Sequence, residues 1–166
     1  MTTRKFRSRR LHKIDIAITR WMSLNGLIIL RFSIGIVLFW FGFLKYFRGL
    51  SPAEDLATDT IKIITFRLIS DNVILYGLAT LEVLIGIGLI FKIYMRQTLL
   101  LLYIQMIGTF LPIFFFPEKV FYIFPYSLTL EGQYIVKNLV ILSAGIVLGA
   151  TVRGGTIVED DLKPDV

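Results

Sequence analysis

Cysteine is absent from the 166 residues and histidine occurs once, as His12. The first absence removes disulfides, thiolate metal sites and thiol–disulfide redox chemistry from this chain. The second excludes a haem held by two histidines within a helical bundle, because His12 lies in a charged leader outside every hydrophobic run. Neither a metal nor a covalent cofactor is expected, and any electron transfer would run through a quinone-like ligand or a partner. Charge is scarce as well. Only 18% of residues are charged against 55% hydrophobic, and the mean hydropathy is +0.74. A water-soluble globule could not cover so much apolar surface.

What is present in abundance is long apolar runs. A hydrocarbon core of ~30 Å requires roughly 18 or more apolar residues in a helix. Four segments meet that length: about 21–47, 73–91, 97–116 and 134–152. The predicted fold is therefore all-α, an integral membrane four-helix bundle over residues 21–152. A basic leader (1–20) precedes it and a polar tail (153–166) follows. The first run is too long for the apolar region of a signal peptide, and no small-x-small cleavage site follows it.

The net charge of +6 is concentrated in the leader. Arg4, Lys5, Arg7, Arg9, Arg10, Lys13 and Arg20 precede Trp21, with Asp15 the only acid among them. A basic leader can bind nucleic acid, but one placed directly before a span reads more simply as an orientation signal touching anionic headgroups. No nucleic-acid partner is expected. With the leader and the Lys92–Arg96 turn both cytoplasmic, both termini are cytoplasmic and the segments 51–72 and 117–133 are external.

The first external segment carries its own helix signal. Ser51-Pro52-Ala53-Glu54 reads as a capping box with proline at the first helical position. Ile61, Ile64 and Leu68 then recur at helical spacing, with Asp59, Lys62 and Arg67 elsewhere. That pattern predicts an amphipathic helix, either lying on the membrane surface or forming a lid over the bundle mouth. The second segment gathers Phe121, Tyr122, Phe124, Pro125 and Tyr126, an aromatic cluster that reads as a headgroup-level anchor ahead of a ligand-stacking surface.

Charges inside a bilayer cost several kcal/mol, so they face inward, pair, or serve a purpose. Arg31, Glu82 and Gln105 lie nine, eleven and eight residues from the cytoplasmic ends of their spans, roughly 12–17 Å deep. A guanidinium, a carboxylate and an amide thus share one level, and an Arg31–Glu82 pair with Gln105 alongside is the expected buried polar core. It reads either as a salt bridge that sets helix register or as a ligand or proton site. Arg31, Gly35, Leu38, Gly42 and Lys45 share one stripe, and Glu82 shares its face with Leu78 and Gly86. Gly145 and Gly149 form a GxxxG pattern on the last span.

A second, external polar layer comprises Lys45, Glu131, Tyr134, Lys137 and Asn138. Its lysines either snorkel to water or form a positive pocket for an anionic or carbonyl-bearing headgroup, with Glu54 or Glu131 as counter-charge.

At these residues the sequence resembles the DoxX-like family of small four-span bacterial membrane proteins. The likeness rests on Arg31-Phe32-Ser33-Ile34-Gly35, Gly42-Phe43-Leu44-Lys45 and Glu82-Val83-Leu84-Ile85-Gly86. Glu131-Gly132-Gln133-Tyr134-Ile135-Val136-Lys137-Asn138-Leu139 is similar to the start of the last helix in a related inner-membrane group linked to reactive-chlorine resistance. The likeness spans about Leu30 to Gly149. It implies a bacterial inner-membrane location and quinone-linked redox work or oxidant defence, in the manner of thiosulfate:quinone oxidoreductase subunits. A protein partner in a membrane redox complex, or a homo-oligomer, is implied with it. The absence of cysteine counts against any thiol-based version.

Two functional classes follow: a subunit that binds a quinone or lipid, and a non-catalytic assembly or lipid-interaction subunit whose buried charges only fix helix packing. A proton-coupled transporter is a third, with few spans for the task and no inverted repeat. No catalytic residue is assigned.

Overall fold

A computed structural model describes residues 3–51 and 53–157, with side chains from residue 11 onward. The chain is mostly helical, at 77%. Its elements in order are α1 (Thr3–Leu44), α2 (Glu54–Ile64), α3 (Asp71–Phe91), α4 (Met95–Phe110), α5 (Pro112–Phe115), α6 (Pro117–Val120), β1 (Phe121–Ile123), β2 (Ser127–Leu128) and α7 (Leu130–Thr151). Among the described residues, four helical stretches are long and apolar enough to cross a membrane: Leu11–Leu44, Asp71–Phe91, Met95–Phe115 and Leu130–Thr151. The chain is a multi-pass membrane protein.

The leader is not a separate segment. α1 runs unbroken for 42 residues from Thr3, because neither proline nor glycine interrupts it before Gly26. The polar tail lies outside the described residues beyond Ile157.

The α3–α4 connection is tight. Lys92 and Tyr94 both adopt left-handed backbone, Ile93 N donates to Gly88 O at 3.0 Å, and Thr98 Oγ1 donates to Ile93 O at 2.9 Å. The third span turns at Leu111, where Pro112 can supply no N–H to continue α4.

The segment 117–133 is more ordered than an aromatic loop. α6 leads into a two-stranded antiparallel hairpin with Phe121 opposite Leu128 and Ile123 opposite Ser127. Thr129 then caps α7: its Oγ1 accepts from Gly132 N at 3.1 Å and donates to Lys119 O at 2.7 Å. This cap starts the last helix four residues ahead of the expected position.

The expected capping box at Ser51 does not form. Helix α2 begins at Glu54 with Ala53 in left-handed backbone, and Glu54 Oε2 accepts from Gly49 N at 3.1 Å instead. Pro52 lies outside the described residues. The helix stops at Ile64, so Leu68 does not share its face and is exposed. Ion pairs Lys119–Asp59 (2.8 Å) and Lys62–Asp71 (2.7 Å) tether α2 to α6 and to the start of α3. The hydrogen bond that Lys119 donates to the Asp59 carboxylate raises the lysine's pKa above its ordinary value. Exposed pairs of this kind are screened by water and contribute little. The firmer anchor is Leu56, buried in a small cluster with Val120 and Ile135.

The main core joins all four spans through Ile34, Leu38, Ile85, Leu89, Leu102 and Leu148, among others. Outward-facing Ile36, Trp40, Ile107, Val140 and Ile146 are exposed, as a lipid-contacting surface requires. The α1–α3 seam is set by glycine. A Cβ on Gly86 would sit 2.6 Å from Phe39 N and 2.8 Å from Gly35 O; one on Gly42 would sit 2.9 Å from Val83 N. All three obstacles are backbone, which no side-chain rotation relieves. Gly145 and Gly149 work differently: they admit the Tyr103 ring, whose hydroxyl donates to Gly145 O at 2.8 Å.

Gly86→Ala should therefore lower stability by about 1–3 kcal/mol through overpacking. Gly77→Ala, with nothing within 4 Å of the added carbon, should stay within about 0.5 kcal/mol of the parent. Denaturant titration of both variants in the same detergent checks the contrast.

Candidate ligand cavity in the bundle

Lys45 stands just past the end of α1, and Glu82 faces Gly42 from the middle of α3. The close approach at Gly42 brings the two chains within reach: Lys45 Nζ lies 2.6 Å from Glu82 Oε2. From α4, Gln105 Nε2 donates to Glu82 Oε1 at 2.8 Å. Both carboxylate oxygens are thereby engaged, and the lysine and glutamate side chains are only 12% and 9% exposed. Satisfying a buried carboxylate from two helices is what makes its burial tolerable.

The expected Arg31–Glu82 pair does not form. Arg31 Nη1 donates instead to Ile90 O at 2.9 Å and to Leu89 O, at the C-terminal end of α3. Helix register is the reason. Gly35 faces Gly86 and Ile90, and Gly42 faces Ala79, Glu82 and Val83, so Arg31, one turn before Gly35, can reach only the last turn of α3. There a guanidinium meets carbonyls that lack helical partners and the negative end of the helix dipole. Depth counted from span ends missed this, because it put Arg31 and Glu82 at one level without the interhelical register.

Lys45, placed by sequence in a separate external layer, is thus the partner of Glu82. The two polar layers merge around one cavity of about 490 Å³. Lys45, Glu82, Gln105, Tyr134, Lys137 and Asn138 are among the polar residues that line it, with Ser51, Thr60 and Thr109. Glu131 does not join them. It lines a second depression together with Glu54, Glu118 and Lys119, so neither Glu54 nor Glu131 serves as counter-charge to Lys45. Arg31 is likewise outside the cavity.

The remaining walls are apolar: Leu38 and Phe41 from α1, Leu78 from α3, Met106 from α4 and Ile141 from α7 among them. Helix α2 closes one side with Leu56, Ala57, Thr60, Ile61 and Ile64. That contribution was legible in the spacing of Ile61 and Ile64, whereas Leu56 and Thr60 were not singled out. Thr60 hides its hydroxyl by donating to Leu56 O at 2.7 Å, presenting a largely apolar face.

Unused hydrogen-bonding capacity points into this space. A carboxylate offers about four lone-pair sites and an ammonium three donors; Glu82 uses two and Lys45 one. Among the described residues no hydrogen bond to Gln105 Oε1 is formed, and no buried side-chain N or O lacks a partner. Gln105 Oε1 therefore meets open cavity space. Lys137 Nζ lies over the Tyr134 ring at 5.4 Å, and Tyr134 in turn packs edge-on against Phe41 of α1 at 6.3 Å. Size, apolar walls and a few convergent polar groups are the usual attributes of a small-molecule site.

Scans against models of protein families, against curated proteins and against solved structures return no match for this chain.

Lys45→Met should cost about 3–5 kcal/mol by leaving the Glu82 carboxylate without a counter-charge, and most of that loss should be recovered in Lys45→Met/Glu82→Gln. Arg31→Met combined with Glu82→Gln should be additive within about 0.5 kcal/mol, as independent sites are. Unfolding free energies of the singles and doubles in one detergent give both couplings.

Proposed function

We propose that this protein is a bacterial inner-membrane subunit of the DoxX-like kind that holds a lipid-soluble ligand, a quinone or lipid, in the cavity beneath α2. The observation that carries the reading is the Lys45–Glu82–Gln105 cluster at the wall of an otherwise apolar 490 Å³ cavity. A carbonyl-bearing ligand in that space would meet donors from Lys45 and Asn138, while its hydrocarbon part would face Leu38, Phe41, Leu78, Met106 and Ile141. These residues fit a quinone, which when bound supplies a two-electron, two-proton couple. Glu82, ionised against Lys45, would accept a proton at Oε1 or Oε2 from the ligand oxygen and return it. The link to membrane redox or oxidant defence, and to a redox partner, rests on the resemblance of Arg31–Gly35, Gly42–Lys45 and Glu82–Gly86 to that family.

The orientation proposed has both termini cytoplasmic and α2 external, supported by the basic leader and by Lys92 and Arg96 in the α3–α4 connection. The cavity would then open on the external side, with α2 as its cover.

One observation favours the second reading, an assembly subunit without a ligand. The Lys45–Glu82–Gln105 network already engages both carboxylate oxygens, as a purely structural network would.

Titration of the purified protein with decylubiquinone separates the two. Saturable binding that is weakened about tenfold or more in Glu82→Gln, the loss of one hydrogen bond to a charged group, supports the ligand site. Equal binding in parent and variant, or none, leaves the assembly reading. Orientation is testable because the chain has no cysteine. Tyr126→Cys should react with an impermeant maleimide in intact cells, and Tyr94→Cys only after lysis.

A further inference from the structure

Among the described residues, the charged ones lining the cavity are two bases and one acid: Lys45, Lys137 and Glu82. Lys45 and Glu82 neutralise each other at 2.6 Å, so one positive charge is left over. Lys137 carries it. Seven residues into α7, it lies about 10 Å from the helix start, and among the described residues it has no carboxylate partner and no hydrogen bond. Its one recorded contact is the face of Tyr134, which holds the ammonium beside the cavity. A cation at this depth is costly unless an anion or water meets it.

We propose that the ligand of this cavity is a single-chain amphiphile bearing one negative charge, of the long-chain carboxylate class, with its carboxylate on Lys137 and its chain in the apolar interior. The inference rests on the ligand-cavity reading above and narrows it. Charge balance selects a monoanion: a neutral headgroup leaves Lys137 uncompensated, and a dianion overshoots. Volume selects one chain, because 490 Å³ is the scale of a single small ligand rather than of a two-chain lipid. Entry follows from the packing. α7 lies along α4 and has little contact with α1. Exposed Val37 on α1 and exposed Lys137 on α7 both border the cavity. The head group is therefore met at the outer edge of the α1–α7 seam, and the Phe41–Tyr134 ring contact closes that seam further in.

The test uses full-length protein in nanodiscs of phosphatidylcholine at pH 8, with displacement of radiolabelled oleate by oleate or by methyl oleate. Oleate should bind at least about tenfold more tightly than its neutral ester, the contribution of one charge-assisted hydrogen bond. Lys137→Gln should bring that ratio close to one, and Lys137→Arg should preserve it. A ratio near one in the parent, or an unchanged ratio in Lys137→Gln, overturns the inference. Ala57→Phe, which fills the cavity from α2, distinguishes the levels of failure. If it abolishes binding of both ligands while their ratio is near one, the cavity reading stands and the monoanion assignment falls. If it leaves both intact, the ligands sit elsewhere and both readings fall.

Discussion

The rest of this structure depends on how closely the α1 and α3 backbones approach. A single carbon added at Gly42 or Gly86 would lie within 3 Å of main-chain atoms of the facing helix, and one at Gly35 would lie 3.1 Å from Gly86 O. In a bilayer, helices gain little from excluding lipid, so van der Waals contact of this kind supplies much of the association. It also determines the register. Once Gly42 faces Glu82, Lys45 is one turn beyond and within hydrogen-bonding distance. Arg31, eleven residues earlier, is delivered to the far end of α3.

The two basic residues of α1 consequently meet different partners. Arg31 spreads its donors over the terminal carbonyls of α3 and interacts with a dipole. Lys45 meets a formal charge. The first arrangement caps a helix and leaves no unspent capacity in the cavity. The second places an ion pair with spare donors and acceptors beside apolar space, so the chemistry concentrates at the end of the bundle covered by α2.

That cover is held by two exposed ion pairs and by buried Leu56, Thr58 and Thr60, and it is flanked by left-handed residues at Gly49, Ala53, Phe66 and Arg67. Its inner face is apolar and adds to the cavity wall without adding charge. Among the described residues, charge at the site therefore comes from α3, α7 and the residue just past α1, and the surplus at Lys137 is uncompensated by α2.

The four spans were legible in the amino-acid sequence because hydrocarbon thickness dictates run length, and the run length is a local property. Glycine faces on α1 and α3, and the amphipathic character of α2 around Ile61 and Ile64, were legible for the same reason: helical periodicity is short-ranged. Glu82 with Gln105 was also within reach, since buried polar groups on neighbouring helices seek each other. What spacing along single helices left open was relative register. Only the tertiary structure decided that Lys45 rather than Arg31 meets Glu82, that Glu131 falls outside the cavity, and that Thr129 starts α7. The first two depend on how far one helix slides along another, which backbone contact between distant segments controls; the third depends on the hairpin that brings Lys119 O to the Thr129 hydroxyl.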